Sequence, residues 1–169
     1  LYQGELSTIQ AIQNASRAKV YGFEAGVELA FSKELKLRSQ YNITKGFAQD
    51  QQGNKEALRH AAPAYGNTHF VYNKAKLTFD AFVEYNGQFD FEDLAPSQQN
   101  NAFLYAADQN GNPYAPGWYT LNFSSQYKFS KAFQLSATLE NITDQRYRPY
   151  SSGLSAPGRN LIVAATYSF

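Results

Sequence analysis

The sequence predicts an all-β protein, specifically the wall of an antiparallel transmembrane β-barrel. Three observations predict it: apolar and polar residues alternate with period 2, tight turns alternate with long loops, and aromatic residues gather towards both ends of the strands.

The alternation begins near Ala18. Phe23, Ala25, Val27, Leu29 and Phe31 share one face, and Glu24, Gly26, Glu28 and Ala30 share the other. After Ser32-Lys33-Glu34, a second strand sets Leu35, Leu37, Ser39, Tyr41 and Ile43 against Lys36, Arg38, Gln40, Asn42 and Thr44. A third, less regular run spans Tyr65 to Tyr72 and turns at Asn73-Lys74-Ala75. The fourth opposes Leu77, Phe79, Ala81, Val83 and Tyr85 to Lys76, Thr78, Asp80 and Glu84. Beyond Pro116, a fifth carries Tyr119, Leu121, Phe123, Tyr127 and Phe129. Ser130-Lys131 leads to a sixth with Phe133, Leu135, Ala137 and Leu139, and the last carries Leu161, Val163, Ala165, Tyr167 and Phe169. These runs last about 11–14 residues, roughly twice the usual globular strand. A tilted strand needs about 9–11 residues to cross a bilayer.

Tight turns fall around Lys33, Lys74 and Lys131, and long loops at about Phe47 to Pro63, Glu92 to Pro116 and Arg148 to Pro157. This alternation places short turns on one rim and long loops on the other, with the short turns in the periplasm. Phe31, Phe79, Tyr127, Phe129, Phe133, Tyr167 and Phe169 lie near the tight turns. Tyr21, Tyr41, Tyr85, Phe89, Tyr119 and Tyr147 lie near the loops. Smaller groups sit between them, among them Ala25, Val27, Ser39, Ala81, Val83, Ala137, Leu139 and Val163. Tyr and Phe rings favour the two membrane interfaces, so the two bands read as twin girdles. A soluble β-sandwich also hides one face of its strands, but its core has no reason to sort aromatics this way.

Composition narrows the function. A net charge of +1 argues against a nucleic-acid partner. The absence of cysteine removes disulfides, thiolate metal sites and a cysteine nucleophile. No nucleophile elbow, phosphate loop or metal-ligand spacing is present, so neither enzyme activity, nor a cofactor, nor a metal centre is expected. The negative mean hydropathy does not argue against a membrane barrel, because its two faces cancel in any average. Methionine is absent even at position 1, and the opening residues lack a signal-peptide pattern, so we read a processed chain or a piece of a longer one. Seven strands cannot close an even-numbered barrel. Either residues 1–14 supply an eighth strand, giving a small structural or defensive barrel, or further strands lie elsewhere.

Three motifs resemble a known family. Glu140-Asn141-Ile142-Thr143-Asp144-Gln145-Arg146-Tyr147 resembles the penultimate-strand signature of TonB-dependent receptors. Ala156-Pro157-Gly158-Arg159-Asn160 then precedes a final strand ending in Phe169, in the order that family uses. Asn14-Ala15-Ser16-Arg17-Ala18-Lys19-Val20-Tyr21-Gly22-Phe23-Glu24 looks like its entry into a late barrel strand. The resemblance spans about residues 14–169. It implies that residues 1–169 are a single piece, about the last seven strands of a 22-stranded barrel, without the plug domain. It further implies a place in the bacterial outer membrane and a part in the active uptake of a scarce ligand: a siderophore–iron complex, haem, cobalamin or similar. The implied partners are TonB through the plug, the surrounding lipid, and the barrel-assembly machinery, which would read Tyr167 and Phe169. Ala164 and Ile162 depart from the usual assembly signal, so only its aromatic part carries over.

Candidate ligand residues lie in the loops. Arg59 and His60 could bind an anion or ligate haem, although a lone loop histidine is more often simply polar. Arg146 and Arg148, with Arg159 near them, could line an entrance for an anionic chelate. His69 reads as a satisfied lumen residue, and Asp90, Glu92, Asp93 and Asp108 read as solvated loop charge. The carboxylates Glu24, Glu28, Asp80, Glu84 and Glu140 are expected to form a cross-strand ladder with Lys36, Arg38, Lys76 and Lys128.

Overall fold

The computed structural model describes residues 17–49 and 53–169. Its strands are β1 (Arg17–Ala30), β2 (Leu35–Gln49), β3 (Lys55–Ala57), β4 (Tyr65–Lys74), β5 (Leu77–Asn86), β6 (Ala106–Ala107), β7 (Pro113–Tyr114), β8 (Trp118–Lys128), β9 (Phe133–Glu140) and β10 (Asn160–Tyr167). The long strands pair in the order β1-β2-β4-β5-β8-β9-β10, all antiparallel, with β3 attached to β2. The sheet is an open wall in which β1 and β10 are the two edges among the described residues. The possible eighth strand within residues 1–14 lies outside those residues.

Register carries the alternation across the sheet. Ala25 pairs with Tyr41, Tyr41 with Gly66, Gly66 with Tyr85 and Tyr85 with Tyr119, all on one face. Phe123, Leu139 and Leu161 continue that face at the far side. Its large side chains are solvent-facing: Phe23 is 64% exposed and Leu161 64%. An apolar face open along the whole sheet is what a wall needs when lipid is its solvent. The period-2 reading of the strands therefore holds.

The tight turns are built from sequence. Phe31-Ser32-Lys33 and Phe129-Ser130-Lys131 repeat one another. In the first, Ser32 Oγ accepts from the N–H groups of Glu34 and Leu35, both at 3.1 Å. In the second, Ser130 Oγ accepts from Ala132 at 3.1 Å and Phe133 at 3.0 Å. A short hydroxyl side chain thus satisfies amide groups that the ladder leaves free. The middle turn is tighter, because Lys74 pairs directly with Leu77 and Ala75 takes a positive φ of 52°.

Several boundaries differ from expectation: the β5–β8 loop begins at Gly87 rather than Glu92, and the last strand ends at Tyr167 rather than Phe169. β2 runs on to Gln49, where β3 folds back on it, so the first long loop begins later than Phe47. The last long loop begins earlier, at Asn141 rather than Arg148.

The buried core lies in the loops rather than in the wall. Leu94, Tyr105 and Ala115, all in the excursion between β5 and β8, pack together with Phe89, Leu104 and Tyr150. Short helical turns at Phe91–Asp93, Pro96–Gln99 and Ala102–Leu104, with the β6–β7 pair, compact this excursion into a cap. Phe89 was expected in the loop-side girdle. It instead pairs with Ala115 and meets Tyr150 edge-on at 5.4 Å, because this core offers it more burial than the interface would.

Candidate functional site

The polar face bears a partial charge network. Glu28 accepts from Lys36 Nζ at 3.0 Å and Arg38 Nε at 2.9 Å. Asp80 takes His69 Nδ1 at 2.9 Å, and the His69 ring stacks on Phe82 at 4.8 Å. His69 is satisfied, as expected. The full ladder does not form. Lys76 Nζ turns to the Phe129 carbonyl, and Glu140 receives Asn160 Nδ2 at 3.3 Å. Among the described residues, Glu24, Glu84 and Lys128 enter no salt bridge, because their cross-strand neighbours Asn42, Thr120 and Gln134 are neutral.

The Glu140–Tyr147 motif proves to be a clamp. Asn141 adopts a φ of 47°, a left-handed conformation that Asn tolerates, and this ends β9. Its N–H donates to Asn122 Oδ1 at 2.8 Å, while its own Oδ1 accepts from Gln145 N at 2.9 Å. Its Nδ2 donates to the carbonyls of Gln145 at 2.9 Å and Pro157 at 3.3 Å. Asp144, also at positive φ, accepts the Arg159 N–H on Oδ1 at 2.8 Å. Arg159 Nε returns to the Ile142 carbonyl at 3.0 Å. A Cβ at Gly158 would stand 2.6 Å from Asp144 Oδ1 and would displace that carboxylate from Arg159. Both ends of the last loop are therefore fastened to one point above β8 and β9.

The clamp delivers Gln145 to Ser151 to the rim of a cavity of about 270 Å³ between the last loop and the β5–β8 excursion. Arg146, Arg148, Tyr147, Tyr150, Trp118 and Tyr105 line it. Tyr147 was expected in the outward girdle. It instead packs against Trp118 with ring centroids 4.2 Å apart and planes tilted by 31°, since the Asn141 kink turns the chain towards the polar face. Burial raises its phenol pKa, and the charges of Glu84 and Glu140 raise it further. Tyr150 is likewise raised, chiefly by burial, against the opposing hydrogen bond from Gln98. Gln98 is 1% exposed and ties the two loops together. Its Nε2 donates to the hydroxyls of Tyr105 at 2.7 Å and Tyr150 at 2.9 Å.

Of the nominated ligand residues, Arg146 and Arg148 come together at this cavity, and Arg148 Nη1 also donates to the Phe103 carbonyl at 3.2 Å. Arg59, in the first long loop, does not line the cavity, although its charge slightly opposes the rise that burial gives the Tyr150 pKa. His60 is exposed at a positive φ of 65° and does not line the cavity. Trp118, Gln98 and Asn122 were not singled out as site residues. The lone Trp at a strand entry was the available signal; Gln98 and Asn122 matter only through partners distant in sequence. Asp108 closes the β6–β7 turn, and the amides of Asn112 and Asn110 hold its carboxyl below the usual range. The described residues contain no cluster of three or more potential metal ligands.

A family described as TonB dependent receptor-like, beta-barrel matches residues 2–142. The chain belongs to this family. Among solved structures, it superposes on the copper transporter OprC with a TM-score of 0.71 and 17% identity, covering 90% of this chain and 24% of that one. The FrpB iron transporter from Neisseria meningitidis gives 0.69 and 16%, covering 92% and 24%. The siderophore receptor PiuA from Acinetobacter baumannii gives 0.59 and 17%, covering 89% and 22%. No curated protein matches the sequence. The chain thus spans about a quarter of the length of the solved proteins it resembles. The family is one of bacterial outer-membrane barrels, and these relatives are transporters and receptors rather than enzymes. The small eight-stranded alternative falls with this match.

Proposed function

We propose that residues 1–169 form one segment of barrel wall, with its outer loops, in a TonB-dependent receptor, and that the Arg146–Arg148 cavity takes part of an anionic metal chelate. The observation that carries this reading is the convergence of Arg146 and Arg148 beside the Trp118–Tyr147 pair. Guanidinium groups recognise carboxylate, catecholate or phosphate oxygens, and the ring pair offers an aromatic wall for the body of a chelate. Arg59 extends the positive field from a second loop. His60 stands apart, which favours a preformed chelate over haem ligation by this residue. Iron–siderophore complexes suit this chemistry best, and cobalamin less well, since it lacks comparable charge.

In this reading the energy for uptake comes through a plug domain and TonB. Tyr167 and Phe169 are the residues that the barrel-assembly machinery would engage, and the lipid of the outer membrane is the solvent of the apolar face.

The test is binding and uptake by the full-length receptor over a panel of ferric and cupric chelates. R146A/R148A should weaken binding of the preferred chelate about 10- to 100-fold, the range for charged hydrogen bonds. H60A should leave it unchanged. Undiminished affinity in R146A/R148A overturns the site, and uptake that persists without TonB overturns the mechanism.

A further inference from the structure

The apolar face bears an unbalanced set of charges. Along β1, β2, β4, β5, β8, β9 and β10, none of its described positions is Asp or Glu; the strand carboxylates occupy the polar face. Cations are nevertheless present on it, and at the loop end they converge. Arg17 pairs across with Gln49, which pairs in turn with Lys55. Lys19 pairs with Phe47, and Tyr21 with Lys45. Directly opposed side chains lie about 5 Å apart at Cβ and diagonal ones about 7–8 Å, within reach of these long side chains. Arg17, Lys19, Lys45 and Lys55 therefore occupy neighbouring positions around Phe47 on one face, and Lys55 Nζ sits 4.9 Å above the centre of its ring. No described carboxylate forms a salt bridge with any of them.

The level of the cluster is informative. On the same face and towards the turns follow Tyr21 and Phe23, then Ala25, Val27 and Leu29. Each step of two residues is about 6.8 Å along the strand. The cations thus stand just beyond the aromatic band, at headgroup height, with an apolar track for acyl chains directly below. Single cations at a rim reach out to water, but a group of four with no acidic partner among the described residues creates a local potential that favours a multiply charged anion.

We propose that this face of β1–β3 is a binding site for a phosphorylated lipid of the outer leaflet. Its phosphates lie on Arg17, Lys19, Lys45 and Lys55, and its acyl chains lie along Phe23, Ala25 and Val27. The site is separate from the loop cavity, so it stands whether or not the receptor takes up an anionic chelate.

The experiment is native mass spectrometry of the full-length receptor in detergent, titrated with bisphosphorylated lipid A or its dephosphorylated form. R17Q/K19Q/K45Q should weaken binding of the bisphosphorylated lipid about a hundredfold, at roughly fivefold per cation. K33Q/K74Q/K131Q, which removes charge from the opposite rim, should leave it unchanged. The single K45Q variant, expected to lose about fivefold, serves if the triple variant does not assemble. Wild-type affinity in these cluster variants overturns the proposal. So does equal binding of the dephosphorylated lipid, or an equal loss in the opposite-rim variant.

Discussion

The wall and the loops solve burial in opposite ways. Along the strands the apolar side chains point away from the protein, and exposed residues such as Phe23, Val27, Leu161 and Val163 acquire an apolar surrounding only from lipid. The excursion between β5 and β8 instead makes its own core around Leu94, Tyr105 and Ala115, with Gln98 satisfied inside it. One region is specified by its solvent and its register, the other by packing. A substitution should therefore be felt globally in the wall and locally in the cap.

The largest test of this contrast is Leu94→Ala. Its side chain is completely buried, and truncation should cost about 2–5 kcal/mol within the cap. Hydrogen exchange of the full-length receptor should rise across residues 87–117 and at Tyr150, while heat-modifiable mobility of the barrel stays intact. Loss of the barrel itself would show that cap and wall fold as one unit.

Val163→Arg probes the opposite side. Val163 lies at the middle of β10 on the apolar face, where a charge costs about 2–4 kcal/mol at the bilayer midplane. Urea unfolding in lipid vesicles should show that loss, with the loop cavity unaltered in the fraction that assembles. Thr138→Arg, on the polar face of the neighbouring strand β9 and next to Ala137, the partner of Val163, should cost far less. Equal costs would contradict the assignment of the two faces.

Asn141→Ala examines the joint between the regions. It removes the side-chain bonds to Gln145 and Pro157 and replaces a residue suited to positive φ, for about 1–3 kcal/mol. The last loop should become protease-sensitive and the Trp118 emission should shift as Tyr147 leaves it. Unchanged emission would mean that the contact holds without the clamp.

The smallest effect is in pH. Tyr147 and Tyr150 have raised phenol pKa values, chiefly through burial, so their folded forms hold protons that the unfolded chain releases. The sign follows: their contribution to loop stability is fully present below the ordinary tyrosine pKa of about 10 and is lost as pH rises through the folded values. Phenolate absorbance should therefore lag in wild type relative to a Tyr147→Phe/Tyr150→Phe variant. Coincident titrations would place both rings in water.

Much of the wall was legible because its signal is local. A strand in lipid must alternate, and each alternation is written within about ten residues, so Phe23 to Phe31 or Leu77 to Tyr85 could be read without a partner. The Ser32 and Ser130 turns were equally local. The exceptions are informative. Val71 and Phe82 sit on the polar face, and what justifies Phe82 there is the His69 ring stacked on it from the neighbouring strand. The charge ladder was overread because composition does not give register: Glu28 meets two cations, while Lys76 meets a carbonyl.

By itself, then, the sequence determined the antiparallel strands, their two faces, the alternation of turns and loops, and the motifs that mark the family. Only the tertiary structure decided that Asn141 meets Asn122, that Gln98 joins Tyr105 to Tyr150, that Tyr147 turns inward onto Trp118, and that the register sets four cations in neighbouring positions about Phe47. The physical reason is the range of the constraint. Alternation is enforced residue by residue by the solvent on each face, whereas loop contacts join positions up to about fifty residues apart through hydrogen bonds and packing that no short window of sequence encodes.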